Sequence, residues 1–215
     1  MNESMYPFDG TFSQFPNLCG HIRSRRYEKG HWDAVITDYK EIELPSFDME
    51  DNVSKIIDRT RRFLLETHLD RDDTFLPPHA IDLKADGGLH AHVDSVRFSG
   101  GMVAGISLLS SSIMRLKPSP DGLPTADGTA ETRTQAKDNS GPDNGENVQD
   151  NVWVDLLLPP LSLYVLTGVC RYRYSHELLE SGQTFEMQGS NETTVVDRER
   201  RISVIFRDAK KVNED

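Results

Sequence analysis

The chain has 215 residues, of which 36% are hydrophobic, and this suits one domain whose core needs no disulfides. Its 24 Lys and Arg residues against 35 Asp and Glu give a formal net charge of −11. This negative net charge argues against a protein whose main role is to bind nucleic-acid phosphates, because such binding needs clustered cations. The two cysteines exclude a disulfide scaffold and a thiolate zinc cage.

Residues 1–22 are expected to form an irregular arm, because Pro and Gly interrupt them repeatedly. They include acidic residues and no apolar segment, so they predict neither a secretory signal nor a clear mitochondrial transit peptide. The longest uncharged stretches, 98–114 and 156–170, are shorter than a bilayer requires. We therefore expect no membrane-spanning segment.

Residues 51–69 predict an amphipathic helix. Apolar side chains recur at spacings of three, four and seven, and charged side chains fill the opposite face. The apolar positions are Val53, Ile56, Ile57, Phe63 and Leu64.

From residue 78 onward the hydrophobic period becomes that of strands. Gly87-Gly88 is interpreted as a turn between two of them. Short strands joined by Gly, Pro and Ser indicate a mainly β fold, a sandwich or barrel-like double sheet with a flanking helix. The predicted strands are 80–83, 89–98, 103–109, 113–116, 152–158, 162–166 and 201–207.

Residues 118–150 interrupt this pattern. They are rich in Gly, Pro, Ser, Thr, Asp and Asn, and residues 121–150 carry seven acids against two cations, a net charge of −5. Such a segment buries too little apolar surface to offset its ordering entropy, so it predicts a disordered insert, with a docking role as the alternative. The expected organisation is an arm over 1–22 and one domain over 23–215 that contains the insert.

The motif His-x-Asp occurs at 31–33, 68–70 and 92–94. On a strand, residues i and i+2 point to the same side, so an imidazole and a carboxylate can reach one metal ion. Residues 68–70 end the predicted helix, where the two side chains diverge by about 200°. Only His92 and Asp94 lie on strand-like sequence, with His90 as a competing ligand and an ordinary surface pair as the alternative. Two imidazoles and one carboxylate form the facial site of non-haem iron oxygenases.

The segment 201–207 alternates, which places Arg201, Ser203 and Arg207 on one side and apolar residues on the other. Two arginines on one face can bracket a small dianion, because guanidinium binds carboxylate bidentately and stays charged. The alternative is two exposed arginines on an edge strand, paired with nearby acids.

Four blocks, 25–33, 92–116, 158–179 and 200–207, together with the motif YSHE at 174–177, resemble the AlkB family of iron(II)- and 2-oxoglutarate-dependent dioxygenases. The resemblance runs from about residue 23 to 207, outside the insert, and the blocks are most similar to a mitochondrial member. It implies a double-stranded β-helix (jelly-roll) fold and an enzyme that uses Fe(II), 2-oxoglutarate and O2.

The resemblance also implies which residues form the site. The iron ligands are expected to be His92, Asp94 and His176, and Arg201 is expected to hold the C5 carboxylate of 2-oxoglutarate. Arg207 and Tyr164 complete that pocket in this reading, and Ser203 shares its face. Without the resemblance, Tyr164 is equally well explained as an aromatic side chain packed within a strand. For His31 and Trp32, structural packing is preferred to a metal-binding role.

The substrate is expected to be a protein. About twenty residues separate Leu69 from His92, and their charge is mostly acidic, which leaves neither room nor charge for a nucleotide clamp. We therefore expect no double-stranded DNA partner. The resemblance implies a mitochondrial matrix location and a link to programmed necrosis and fatty-acid metabolism. The alternatives are demethylation of a mitochondrial RNA, or a largely non-catalytic scaffold that binds partners.

Overall fold

The structure is a computed structural model that describes residues 22, 26–30, 35–44, 52–70, 73–97, 99–119 and 152–210. Residues 1–21 of the predicted N-terminal arm, the motif at 31–33 and residues 120–150 of the predicted insert lie outside this range. Those parts of the domain organisation therefore stay predictions.

Helix α1, Asn52–Thr67, confirms the amphipathic helix predicted for residues 51–69. Its apolar side chains Val53, Ile56, Ile57 and Leu64 are buried against the sheet. A second, short helix, α2, covers Gly168–Arg173. Among the described residues, neither helix combines the length and the apolar character that a membrane crossing requires.

Strands dominate the described chain, and all their pairings are antiparallel. Nine belong to one sheet with the central order β6-β5-β8-β3-β11-β4-β7, while β1 and β2 add to the side of β3. Because β6 and β7 contact each other, the sheet nearly closes on itself. This is the predicted double-stranded β-helix. The strands are β1 Glu28–Gly30, β2 Ile36–Glu43, β3 His79–His92, β4 Met102–Leu108, β5 Ser112–Pro118, β6 Val154–Leu158, β7 Ser162–Thr167, β8 Tyr174–Leu178, β9 Gln183–Glu186, β10 Thr193–Val196 and β11 Arg201–Arg207.

The predicted turn at Gly87-Gly88 is wrong, because β3 continues through both glycines. A Cβ atom at Gly87 would lie 2.9 Å from the carbonyl oxygen of Thr37 and 2.8 Å from that of Asp38 on β2. The amide of Gly88 donates to the hydroxyl of Thr37 at 3.1 Å. The two glycines therefore allow β2 to approach β3 closely and do not reverse the chain.

Two apolar clusters lie on opposite sides of the nearly closed sheet. The outer core lies between α1 and the sheet, and the inner core lies inside the barrel. Strand β11 contributes Ile202, Val204 and Phe206 to the outer core, as its alternation predicts. The fully buried inner core consists of Tyr39, Leu83, Met114, Leu116, Leu158, Leu166 and Leu178.

Candidate active site

A cavity of about 150 Å³ lies inside the barrel, beside the inner core. Strands β2, β3, β4, β5, β7, β8 and β11 contribute to its wall, so residues far apart in sequence meet there. The wall includes every predicted site residue: His92, Asp94, Tyr164, His176, Arg201, Ser203 and Arg207. Apart from Glu41, its other residues are apolar.

Three potential metal ligands converge at one end of this cavity. His92 ends β3 and is the register partner of His176 on β8, with ring centroids 4.2 Å apart. Nε2 of His92 lies 3.7 Å from Oδ1 of Asp94, and Nε2 of His176 lies 3.7 Å from Oδ2 of the same carboxylate. Each residue offers a ligand atom within 4.8 Å of the other two. Across the described ranges, no other three His, Cys, Asp or Glu side chains meet in this way.

The ring of His92 is held in the orientation that metal binding requires. Its Nδ1 lies 2.8 Å from the backbone carbonyl oxygen of His90. A carbonyl oxygen can only accept, so Nδ1 carries a proton, and Nε2 is the ring atom that faces Asp94 and is placed to bind a metal ion.

The electrostatics of the three side chains suit a divalent cation. Burial lowers the pKa of His176 to about 4, although the charge of Asp94 opposes this shift, so the imidazole is neutral at pH 7. Burial also opposes ionisation of Asp94, but the neighbouring His92, His176 and Arg171 outweigh it and hold the pKa of Asp94 well below its usual range. One carboxylate and two imidazoles that face it through Nε2 form the donor set of non-haem Fe(II) oxygenases.

Arg201 forms a cationic wall of the cavity. Its side chain is only 3% exposed, and its Nε donates to the hydroxyl of Ser107 at 3.1 Å. Its Nη2 is buried and has no hydrogen-bond partner among the described residues. An unpaired buried donor costs free energy that an incoming carboxylate can recover, so this wall fits an anionic ligand such as 2-oxoglutarate.

Tyr164 lies in the wall with Arg201 and also packs against the inner core. Burial raises the pKa of its hydroxyl, which therefore keeps its proton and can donate a hydrogen bond. Gly105 is its register partner on β4, and a Cβ atom at that position would collide with the tyrosine ring. The absence of a side chain at Gly105 thus allows the ring to lie where it does.

The other histidines of the sequence prediction lie elsewhere. The register of β3 and β8 shifts between Leu89 and His92, so strict alternation fails there. His90 is exposed and lines a separate groove, not the cavity. His68 follows α1, and its ring packs against Phe63 with centroids 6.3 Å apart.

Two residues of the site environment were not predicted from the sequence. Ser107 accepts the hydrogen bond from Arg201, and Arg171 donates to the backbone carbonyl of Asp94 at 2.8 Å. Ser107 is the register partner of Ser203, so an alignment of β4 with β11 could have found it. For Arg171 the sequence offers one signal: it is the single charged residue among the first four residues of α2.

Comparisons with known proteins show which proteins this chain is similar to. The chain is 36% identical over 187 residues to the Mus musculus protein named "Alpha-ketoglutarate-dependent dioxygenase alkB homolog 7, mitochondrial", covering 86% of this chain and 67% of that protein. The Bos taurus protein of the same name is 35% identical over 186 residues, with the same coverage. A solved prolyl-4-hydroxylase from Pseudomonas putida is 13% identical, with a TM-score of 0.46 over 93% of this chain and 88% of that one. No family model matches the chain.

Proposed function

This chain belongs to the AlkB family of iron(II)- and 2-oxoglutarate-dependent dioxygenases, and we propose that it hydroxylates a protein substrate at an iron centre held by His92, Asp94 and His176. The observation that carries this proposal is the convergence of those three side chains inside the barrel. The charge of the donor set and the fixed orientation of the His92 ring support it.

The cosubstrate binds against Arg201 in this proposal. Its unpaired Nη2 donates to the C5 carboxylate of 2-oxoglutarate, and the protonated hydroxyl of Tyr164 is available to the same anion. Ser203 and Arg207 line the same cavity and complete the pocket. Strand β11 therefore provides three of the four side chains that bind the cosubstrate.

The side chains around the site orient the reactants and exclude water. When bound, iron(II) with 2-oxoglutarate and O2 supplies the oxidation, in which 2-oxoglutarate yields succinate and CO2 while a substrate C–H group gains one oxygen atom. No amino-acid general base is required for this chemistry. Asp94 supplies the negative charge, and the apolar walls at Leu83, Leu89 and Leu178 limit access of solvent.

A polypeptide is the substrate class that the surroundings favour. A groove of about 780 Å³ shares Leu178 with the cavity and is lined by the acidic residues Asp86, Glu177 and Glu180. Arg198 also borders it and donates to two backbone carbonyls. The three carboxylates outnumber this one guanidinium, so the groove carries a net negative charge, which argues against RNA as the substrate.

The expected location is mitochondrial, in agreement with the names of the two mammalian relatives. The proposal also includes residence in the matrix and a contribution to programmed necrosis and fatty-acid metabolism. They rest on the resemblance in sequence, and fluorescent tagging of the full-length product tests the location.

Turnover of 2-oxoglutarate to succinate with Fe(II), in the absence of substrate, tests the proposed chemistry. Wild type is expected to form succinate, whereas His92→Ala and Arg201→Ala are expected to fall to background. The matched control is His90→Ala, which removes an exposed imidazole from the same strand and should retain turnover. Equal and negligible succinate formation in all four proteins would instead favour a non-catalytic scaffold.

The substrate class is tested on mitochondrial extracts incubated with wild type or with His92→Ala. A peptide that gains the mass of one oxygen atom only with wild type supports protein hydroxylation. RNA that loses methyl groups, and whose binding weakens steeply with salt, would contradict it.

A further inference from the structure

Arg171 is a buried cation that the proposed chemistry does not use. It lies on α2, directly before the strand that carries His176, and its side chain is 2% exposed. Burying a guanidinium is costly unless its donors are paired, so its partners indicate what it stabilises.

The guanidinium donates hydrogen bonds to the segment that follows β3. Its Nη1 donates to the carbonyl oxygen of Asp94 at 2.8 Å, and its Nη2 donates to the carbonyl oxygen of Ser95 at 3.2 Å and to the hydroxyl of Ser99 at 2.8 Å. The hydroxyl of Ser99 also donates to the carbonyl oxygen of Ser95 at 3.2 Å. One side chain thus joins three points of this segment.

Asp94 needs such a support because the sheet does not hold it. Strand β3 ends at His92, and the last register pair of β3 and β8 is His92 with His176. The two imidazoles are therefore fixed by strand pairing, whereas the backbone at Asp94 lies beyond it.

We propose that Arg171 is a positioning residue, which fixes the backbone at Asp94 and thereby orients its carboxylate for a divalent cation. The inference rests on the proposed metal site. It requires the planar fork of arginine, since lysine offers a single donor atom that cannot reach separate carbonyl groups in the same way. Arg171 also links the segment carrying Asp94 to the element that leads into His176.

Arg198 provides a matched control for loss of a buried guanidinium. It is 4% exposed and donates to the carbonyl oxygens of Lys84 at 3.0 Å and Gly87 at 2.6 Å, on the part of β3 before the metal residues. Like Arg171, it has a buried Nε without a partner among the described residues. Its replacement should destabilise the fold without changing the segment at Asp94.

The test is the affinity for Mn²⁺, measured by titration calorimetry, together with the thermal midpoint of the metal-free protein. Arg171→Lys should raise the Mn²⁺ Kd by about 10- to 100-fold, as expected when a residue supporting a metal ligand is lost. Ser99→Ala removes one hydrogen-bond acceptor of the Arg171 guanidinium and should raise the Mn²⁺ Kd by about two- to tenfold. Arg198→Lys should lower the thermal midpoint and leave the Kd at the wild-type value.

Two results would overturn the inference alone: a folded Arg171→Lys protein that binds Mn²⁺ as tightly as wild type, or equal losses of affinity in Arg171→Lys and Arg198→Lys. If Arg171→Lys fails to fold, an unchanged Kd in Ser99→Ala overturns it. A wild-type protein that binds no Mn²⁺ would overturn the proposed metal site as well.

Discussion

Strand β11 presents Ile202, Val204 and Phe206 to the outer core, and Arg201, Ser203 and Arg207 to the cavity inside the barrel. Burial alone does not separate the two faces, since Phe206 is 1% exposed and Arg201 is 3% exposed. On the outer face, burial removes apolar surface from water and stabilises the fold. On the inner face, burial leaves Nη2 of Arg201 without a partner among the described residues, which costs stability until an anion binds.

The difference shows how one strand serves both fold and function. Its outward residues hold it against α1, and that rigid support keeps the inward residues in place for a ligand. Variants of the two faces should therefore differ in the size of their effect on stability.

Phe206→Ala should have the largest effect on stability. It removes a fully buried ring from the outer core, and such truncations cost about 3–5 kcal/mol in the free energy of unfolding. Urea unfolding followed by circular dichroism measures this. A loss below about 1 kcal/mol would show that the outer core repacks and does not hold β11 rigidly.

Arg201→Met should impair cosubstrate binding without this loss of stability. Removing a charge-assisted hydrogen bond should raise the KM for 2-oxoglutarate by about 10- to 100-fold. The free energy of unfolding of the metal-free protein should change by less than about 1–3 kcal/mol, because loss of the unpaired buried donor offsets loss of the hydrogen bond to Ser107. The same urea experiment checks this, and destabilisation comparable to that of Phe206→Ala would contradict the contrast between the two faces.

Gly105→Ala should have a smaller effect on cosubstrate binding than Arg201→Met. The new methyl group collides with the Tyr164 ring, which has to shift in the cavity wall. Overpacking of this kind costs about 1–3 kcal/mol, and the KM for 2-oxoglutarate should rise along with it. The companion variant Tyr164→Phe keeps the ring and lacks the hydroxyl. If Tyr164→Phe raises the KM for 2-oxoglutarate and Gly105→Ala does not, the hydroxyl of Tyr164 matters for binding and the position of its ring does not.

Much of this contrast could be predicted from the sequence. The alternation of residues 201–207 predicts both faces of β11, because one side of the strand is continuously apolar. The choice of His92 and Asp94 also follows from strand periodicity, although Asp94 itself lies just beyond β3. His176 depended on the resemblance, since β8 has only five residues and a weak alternation.

Close backbone approaches and long-range contacts of single side chains could not be predicted. Gly87 and Gly88 carry the composition of a turn, and only the proximity of Thr37 and Asp38 explains why β3 continues through them. Arg171 has no periodic signal, because its partners at Asp94 and Ser99 lie on another segment and form through tertiary packing. Strands β1, β2, β9 and β10 were missed, because they are short or carry many polar residues.

The most direct test of the account is a crystal structure of the protein with Mn²⁺ in place of iron and with 2-oxoglutarate, using anomalous diffraction to locate the metal. We expect the anomalous peak between His92, Asp94 and His176, and the C5 carboxylate within hydrogen-bond distance of Arg201. A metal bound elsewhere, or a 2-oxoglutarate molecule that does not contact Arg201, would contradict the assignment of the barrel interior as the active site.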